Sequence, residues 1–307
     1  MSFSSEVKKE LCAAMPEALC CRKAELAGIL ALCGTLLPES EGGGLRLRTE
    51  NADVINRAAK LIQVLFSKEL SIQKPDSKST YTLSLTKADG FLPIMKTLGF
   101  YFEGRVRFCA DPFITGESCC RRSFLRGAFL GGGSVSAPEK SYHLEIETHY
   151  QALAKDVLQL FEDEALRARS IMRKSCRVIY IKDSEEIADA LAALGATDSA
   201  LALYHVKIEK DMKNRVNRQV NCETANLTKT ANTAAIQIMA IQKVMKSPML
   251  EELSPAMLEL ARLRIENPES SLNELGKLLS EPLSKSGVSR RLNKIIVMAE
   301  RMSTNGI

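Results

Sequence analysis

Apolar residues recur at two different periods along this chain, and the switches between them outline its elements. Val54, Ala58, Leu61, Ile62 and Leu65 fall at three- and four-residue steps and predict an amphipathic helix over Asn51–Ser67. Leu45-Arg46-Leu47-Arg48 alternates, as a half-buried strand does, and Arg22–Leu32 ahead of it reads as a helix. Leu70–Lys74 and Thr80–Thr86 read as further strands around the turn residues Pro75-Asp76-Ser77, and a helix over Ala88–Leu98 stops at Gly99. The order then repeats: helix Arg122–Leu130, strand Tyr142–Thr148, helix Tyr150–Glu164, strands Arg167–Arg173 and Arg177–Lys182, and helix Ser184–Leu194 ending at Gly195. Between the two runs, Glu103–Phe108 reads as a short strand and Asp111–Gly116 as a linking turn. A helical connector follows from about His205 to Lys246. Near Pro255 a new module begins, in which Leu272, Leu275, Leu278 and Leu279 mark one helix and Glu281-Pro282-Leu283-Ser284 interrupts it. Val288, Leu292, Ile295 and Ile296 mark the last helix, so the pair is a helix-turn-helix candidate.

The repetition extends to individual residues. Leu26–Thr35 returns as Leu125–Ser134 after a shift of 99 positions, and the same shift carries Cys20-Cys21 onto Cys119-Cys120 and Thr49 onto Thr148. An internal duplication accounts for this better than chance. Ala24, Ala27, Gly28 and Ala31 in the first copy, and Ser123, Gly127 and Gly131 in the second, place small residues on one helix face. A helical glycine costs about 1 kcal/mol relative to alanine, so Gly127, Gly131 and Gly132 together predict a close backbone contact that offsets the cost. The expected organisation is a duplicated domain over residues 1–204 with repeats at about 20–100 and 119–197. A basic helical connector over 205–250 and a helix-turn-helix domain over 251–307 complete it.

Composition narrows the function classes. With 307 residues, 45% hydrophobic and 26% charged, the chain is long enough for two domains that bury their own cores. No apolar run approaches the roughly 20 residues of a membrane span, and Met1–Glu10 has no signal-like apolar region, so a cytosolic protein with no membrane partner is expected. The net charge of +5 is unevenly distributed. Acidic and basic residues balance at 26 each through Tyr204, whereas 16 basic residues face 11 acidic ones from His205 onward. Anionic partners should therefore favour the C-terminal third. The nine cysteines show no C-x-x-C spacing and only His143, His149 and His205 are available to help them, so reduced thiols, no structural metal and no cofactor are expected.

Candidate chemistry concentrates in the last helix. Its apolar stripe leaves Ser286, Ser289, Arg290, Asn293 and Lys294 on the opposite side; Ser, Arg and Asn suit base edges, while Lys285 and Lys294 suit phosphates. Ser284–Met298 holds four basic residues and no acid, which favours a recognition helix over a merely solvated face. The connector adds Lys210, Lys213, Arg215, Arg218 and Lys229 as candidate phosphate contacts. Arg46 with Arg48, Arg105 with Arg107, and Arg167, Arg169 and Arg173 are placed on one side of their strands, where they suit either a duplex backbone or simple solubility. Hydrolysis of a phosphodiester needs carboxylates that hold divalent metal. Neither small-residue helix offers one at its end; Glu145 and Glu147 on a strand, or Asp53 on a helix, are the remaining acids, and a strand carboxylate is far more often surface solubility than metal ligand. No phosphate loop, catalytic triad or nicotinamide fingerprint is present.

Both small-residue helices, Leu26–Thr35 and Leu125–Ser134, resemble the LAGLIDADG helix of homing endonucleases, whose second aspartate binds the catalytic metal. Here that place holds Cys33 and Gly132. The resemblance implies an α+β fold of two αββαββα units related by a pseudo-two-fold axis, with both catalytic acids lost. Together with the helix-turn-helix, the whole chain is similar to the WhiA family of Gram-positive bacterial regulators. Phe124–Leu130 with Gly133–Val135 and Pro138–Glu145, then Asn217-Arg218, Asn221-Cys222, Ala225-Asn226 and Lys229, then Ser271-Leu272, Glu274–Gly276 and Ser284–Val288 carry the likeness. Gly132 departs from the arginine frequent in that family.

The family resemblance implies a non-enzymatic transcription factor linked to sporulation or to cell division and chromosome segregation. It would sit on promoter DNA at the nucleoid, and its terminal domain looks like the promoter-reading region of sigma factors. Double-stranded DNA is the expected partner, with RNA polymerase or a sigma factor as a second candidate. The competing expectations are a nucleoid- or division-associated protein of low sequence preference and an active homing endonuclease.

Overall fold

The computed structural model describes residues 2–74 and 80–304. Contacts divide the chain into two compact units, Met1–Lys210 and Asp211–Ile307.

The first unit opens with helix α1 (Phe3–Ala13), capped by the Ser2 side chain, which accepts a hydrogen bond from the Ser5 amide. The sequence pattern did not predict it, because only Val7 and Leu11 are buried and one i, i+4 pair is a weak periodic signal. The first repeat follows as α2 (Leu19–Cys33), β1 (Gly34–Leu37), β2 (Gly44–Thr49), α3 (Ala52–Phe66), β3 (Ile72–Gln73), β4 (Tyr81–Thr86) and α4 (Phe91–Thr97). A hairpin of β5 (Tyr101–Phe102) and β6 (Arg105–Val106) and the one-turn helix α5 (Pro112–Thr115) lead to the second repeat. That repeat is α6 (Ser118–Gly132), β7 (Gly133–Val135), β8 (Leu144–Thr148), α7 (Gln151–Asp163), β9 (Arg169–Arg173), β10 (Cys176–Ile181) and α8 (Ser184–Leu194). Both repeats are αββαββα, and their four-stranded antiparallel sheets have matching orders, β1-β2-β4-β3 and β7-β8-β10-β9.

Several boundaries differ from expectation for local reasons. Asp89 accepts from the Thr86 amide and hydroxyl, at 2.9 and 2.6 Å, and Gly90 adopts φ 86°; this turn occupies the start expected for the helix at Ala88 and delays α4 to Phe91. The strand expected over Leu70–Lys74 pairs only at Ile72 and Gln73, and Pro75-Asp76-Ser77 lie outside the described residues. The Glu103–Phe108 strand is a hairpin instead, because Glu103 and Gly104 both take positive φ and reverse the chain. The turn expected at Asp111–Gly116 is the helix α5, capped by Asp111, whose side chain accepts from the Phe113 amide. The short strands β1 and β7 directly follow the small-residue helices and were too brief to carry a period.

Where α2 crosses α6, glycine is required. A Cβ on Gly28 would collide with the Phe124 carbonyl and the Ala128 amide, and one on Gly127 with the Glu25 carbonyl and the Ile29 amide. These are the same contacts after the 99-residue shift, so the pseudo-two-fold axis passes through this crossing. The middle of each helix is buried, Ala24–Ala31 of α2 and most of Ser123–Leu130 of α6, and the inward faces of both sheets add Leu45, Leu47, Leu83 and Leu85 from one repeat and Leu144, Ile146, Ile179 and Ile181 from the other. Buried among them is a charged group: Glu25 of α2 takes two hydrogen bonds from Arg57 of α3, at 2.6 and 3.0 Å, with Arg126 of α6 3.5 Å away.

Helix α9 (Thr197–Met245) begins in the first unit and continues into the second, starting earlier than the expected His205. In the second unit its end packs with α10 (Pro255–Glu266), α11 (Leu272–Leu278) and α12 (Lys285–Thr304) around Ile241, Val244, Leu260, Leu275, Val288, Leu292 and Ile295. Leu278, counted with the apolar set of α11, is 52% exposed, since the helix ends there and Leu279 turns inward as its C-cap.

Candidate nucleic-acid interface

The turn between α11 and α12 decides how the last helix is presented. Ser271 and Glu274 form a capping box that starts α11, and the Leu283 amide folds back to donate to the Gly276 carbonyl at 2.9 Å. A side chain at Gly276 would collide with the Leu283 carbonyl, so this turn depends on glycine there. Glu259 of α10 holds the same turn by accepting from the Ser280 amide and hydroxyl, at 2.7 and 2.9 Å; these bonds keep its carboxyl below the usual range. Arg264, 1% exposed, donates to Gln237 of α9 at 2.8 Å and so ties α10 to that helix.

On this frame α12 buries Val288, Leu292, Ile295 and Met298 and exposes Lys285, Ser286, Arg290, Asn293 and Lys294, with Ser289 half-buried. The first turn of α12 has no acidic residue and carries Lys285 instead. A helix N-terminus is the positive end of its dipole, so a lysine there is locally unfavourable and an anion favourable. The Ser284 hydroxyl accepts from the Gly287 amide at 3.3 Å and lies 3.0 Å from the Ser286 hydroxyl.

The connector residues are not brought together as a group. Arg215, Arg218 and Lys229 are exposed and share one side of α9 by helical spacing, with Lys213 exposed on another. Lys210 is occupied: it donates to the Pro138 carbonyl at 2.6 Å and lies 5.0 Å from the centre of the Tyr142 ring.

The sheets also diverge. Arg46 and Arg48 point away from the core among Thr35, Thr82 and Ser84. On the other sheet Arg173 lies 3.0 Å from Glu147 and 3.2 Å from Glu145, so it is neutralised where it stands. Glu145, which burial alone would raise, is held below the ordinary carboxylate range by His143 and Arg173. Arg167 precedes β9 and faces Glu186 at 3.5 Å.

The ends of α2 and α6 hold no carboxylate. Cys33 donates its thiol to the Ile29 carbonyl at 3.2 Å, and burial pushes that thiol up to about 12 against the opposing charge of Lys8. Lys8 itself, from α1, donates to the Leu130 carbonyl at 3.2 Å. At Gly132 an added Cβ would stand 2.8 Å from the Glu147 carbonyl and 3.1 Å from Leu32, leaving no space for an acid. Asp53 is exposed in the first turn of α3, and its amide donates to the Asn51 cap.

Comparison with known proteins matches three segments of the chain. Residues 19–98 match the WhiA N-terminal LAGLIDADG-like domain, 121–213 the WhiA LAGLIDADG-like domain, and 216–299 the WhiA C-terminal HTH domain. The chain belongs to the WhiA family. A "Probable cell division protein WhiA" from Clostridium botulinum (strain Hall) is 39% identical over 315 residues, spanning 98% of this chain and 99% of its own. One with the same description from Heliobacterium modesticaldum is 37% identical over 313 residues, spanning 100% of this chain and 98% of its own. The crystal structure of full-length DUF199/WhiA from Thermatoga maritima aligns over 98% of this chain and 99% of its own, with TM-score 0.59 and 28% identity. The fold expected of the WhiA family, a duplicated LAGLIDADG-type unit followed by a helix-turn-helix, is the one this chain adopts.

Proposed function

We propose that this chain is a transcription regulator that reads promoter DNA with α12, acts in cell division, chromosome segregation or sporulation, and carries a nuclease-like scaffold that no longer cuts. The observation that carries this reading is the exposed face of α12 from Lys285 to Met298, basic and without an acid on a helix-turn-helix core, with Glu300 beyond it toward the C-terminal end. Ser286, Arg290, Asn293 and Lys294 place base-reading and phosphate-holding groups side by side, with Ser289 at the rim and Lys285 at the N-terminus of the helix. Arg215, Arg218 and Lys229 on α9 add sequence-independent phosphate contacts, as does Lys213; Lys210, held by Pro138, acts within the first unit. The name borne by the curated relatives supports the role in cell division. Promoter-bound RNA polymerase or a sigma factor is the protein partner that fits a promoter-reading module, and the nucleoid in the cytoplasm is where it would act.

The α9 face favours a second reading, since an unspecific backbone grip suits a nucleoid-associated protein of low sequence preference. Genome-wide occupancy of the full chain separates the two. Sharp peaks upstream of genes are expected, and even coverage that follows base composition would replace the first reading with the second.

Loss of cleavage rests on Cys33, Gly132 and Lys8. A hard divalent ion prefers oxygen ligands, whereas this position offers a neutral thiol, no side chain and an amine. Supercoiled plasmid carrying a binding site, incubated with the protein and Mg²⁺ or Mn²⁺, is expected to stay supercoiled. Stoichiometric nicking that disappears with Arg290→Ala would restore the endonuclease reading.

A further inference from the structure

Two pairs of adjacent cysteines, far apart in the chain, meet in space. Cys20 and Cys21 occupy the first turn of α2, Cys119 and Cys120 the first turn of α6, and the helix crossing brings all four sulfurs within 4.8 Å of one another. Cys21 and Cys120 are buried, at 7% and 4% exposure, while Cys20 and Cys119 face solvent and leave a path of entry. No element of one repeat could build this group alone, because each contributes one adjacent pair.

Its dimensions suit one ion. Zinc–sulfur bonds of about 2.3 Å place the sulfurs of a tetrahedral site about 3.8 Å apart. Cys119 and Cys120 are already 4.0 Å apart, and no sulfur pair needs to close by more than about 1 Å from the 4.8 Å limit to reach that geometry. A cluster of several irons with bridging sulfides spreads its cysteines farther than this. Four thiolates reject hard ions such as Mg²⁺, and a closed tetrahedral sulfur set is the geometry of structural zinc.

The electrostatics agree. Four thiolates around a dication leave a net charge of about −2, which needs positive surroundings. The positive ends of two helix dipoles converge on the sulfurs, and neither α2 nor α6 has an acidic residue in its first turn or a side-chain cap on its free amides. Of the basic residues that follow the two pairs, Arg121 and Arg122 are paired with Glu164 at 2.8 and 2.6 Å, which leaves the helix ends, with Arg22 and Lys23 after the first pair, to supply the positive surroundings. The Cys20 thiol is lowered by its hydrogen bond with Cys120 and by backbone amides, whereas burial pushes Cys21 and Cys120 up.

We propose that Cys20, Cys21, Cys119 and Cys120 form a tetrathiolate site for a single zinc ion that fastens the two repeats together, at the end of the helix pair opposite Cys33 and Gly132. On binding, each thiol gives its proton to solvent as its zinc–sulfur bond forms, and nothing is oxidised or reduced. The spacing along the chain predicts no metal because it lacks C-x-x-C; the pseudo-two-fold axis supplies the second pair instead.

The test uses the untagged full chain, purified under reducing conditions, exposed to Zn²⁺ and desalted. Elemental analysis is expected to find one zinc per chain, released in full by a thiol-blocking reagent. The Cys20→Ser/Cys119→Ser variant, altered only at the exposed sulfurs, is expected to fall to background while keeping its helical circular dichroism, and Cys222→Ser, an exposed control, to keep its zinc. Titration of the wild-type chain with Co²⁺ should give the visible absorption of tetrahedral cobalt thiolate, and this decides the matter if the double variant fails to fold. Background zinc in the wild type, zinc undiminished in a folded double variant, iron in zinc's place, octahedral cobalt, or a disulfide between the pairs in protein kept reduced would each overturn the proposal.

Discussion

Replacing Glu25 by alanine is expected to destabilise the first unit by about 3–5 kcal/mol, the cost of breaking a buried ion pair from one side. The Glu25 side chain is 0% exposed and that of Arg57 3%, so neither can turn to water when the other is lost. Arg57 would keep only its 2.8 Å bond to the Ala14 carbonyl, and the rest of its guanidinium would lose its counter-charge while its side chain is 3% exposed. Arg126, which also faces Glu25, is less exposed to this loss because its Nε already donates to the Leu194 carbonyl at 2.6 Å. The position matters as much as the chemistry: Glu25 lies beside the α2–α6 crossing, and its own carbonyl is the atom that Gly127 accommodates. Urea unfolding followed by far-ultraviolet circular dichroism measures the effect. Leucine at both Glu25 and Arg57 should be less destabilising than Glu25→Ala alone, since a packed apolar pair strands no charge. A cost below about 1 kcal/mol for Glu25→Ala would show that water reaches Arg57.

Arg290→Ala is expected to weaken binding to the best DNA site by about 1–3 kcal/mol, roughly 5- to 150-fold, with no change in fold. Arg290 is exposed between the buried positions Val288 and Leu292, so its removal touches neither core contact. A guanidinium at mid-face is placed for two bonds to one guanine, and the loss should be confined to sites that contain that base. Lys294→Ala provides the contrast. As a phosphate contact it should weaken every sequence alike and reduce the slope of log affinity against log salt by about 1. Gel shifts on matched and mismatched sites over a salt series read both quantities. Equal losses for the two variants on all sequences would demote α12 from reader to backbone contact, and unchanged affinity for Arg290→Ala would remove it from the interface.

Some of this protein was legible from local pattern alone. Helices α3, α7 and α8 carried long apolar periods and were expected to within a few residues, and the existence of α12 was legible from its stripe Val288, Leu292 and Ile295, which also fixed which side faces out. The duplication was legible because the same backbone crossing demands glycine at equivalent places in both copies, Gly28 and Gly127. Elements with weak or short signals escaped: α1 buries two residues, and β1 and β7 have four and three residues. The turn at Gly276 was visible only as part of a family motif, since its requirement arises from the Leu283 carbonyl seven residues away.

Residue type and spacing were enough to fix the repeat, the longer helices, the basic terminal helix and the absence of acids at Cys33 and Gly132, because each is written in pattern along the chain. The tertiary structure alone decided which charges are spent and which remain available. Lys210 is used on Pro138 and Arg173 on two glutamates, whereas Arg290 remains on an exposed face, and no local pattern separates these basic residues. It also placed Glu25 against Arg57 and gathered four cysteines into one group, since contacts across a pseudo-two-fold axis join residues whose separation along the chain has no period of its own.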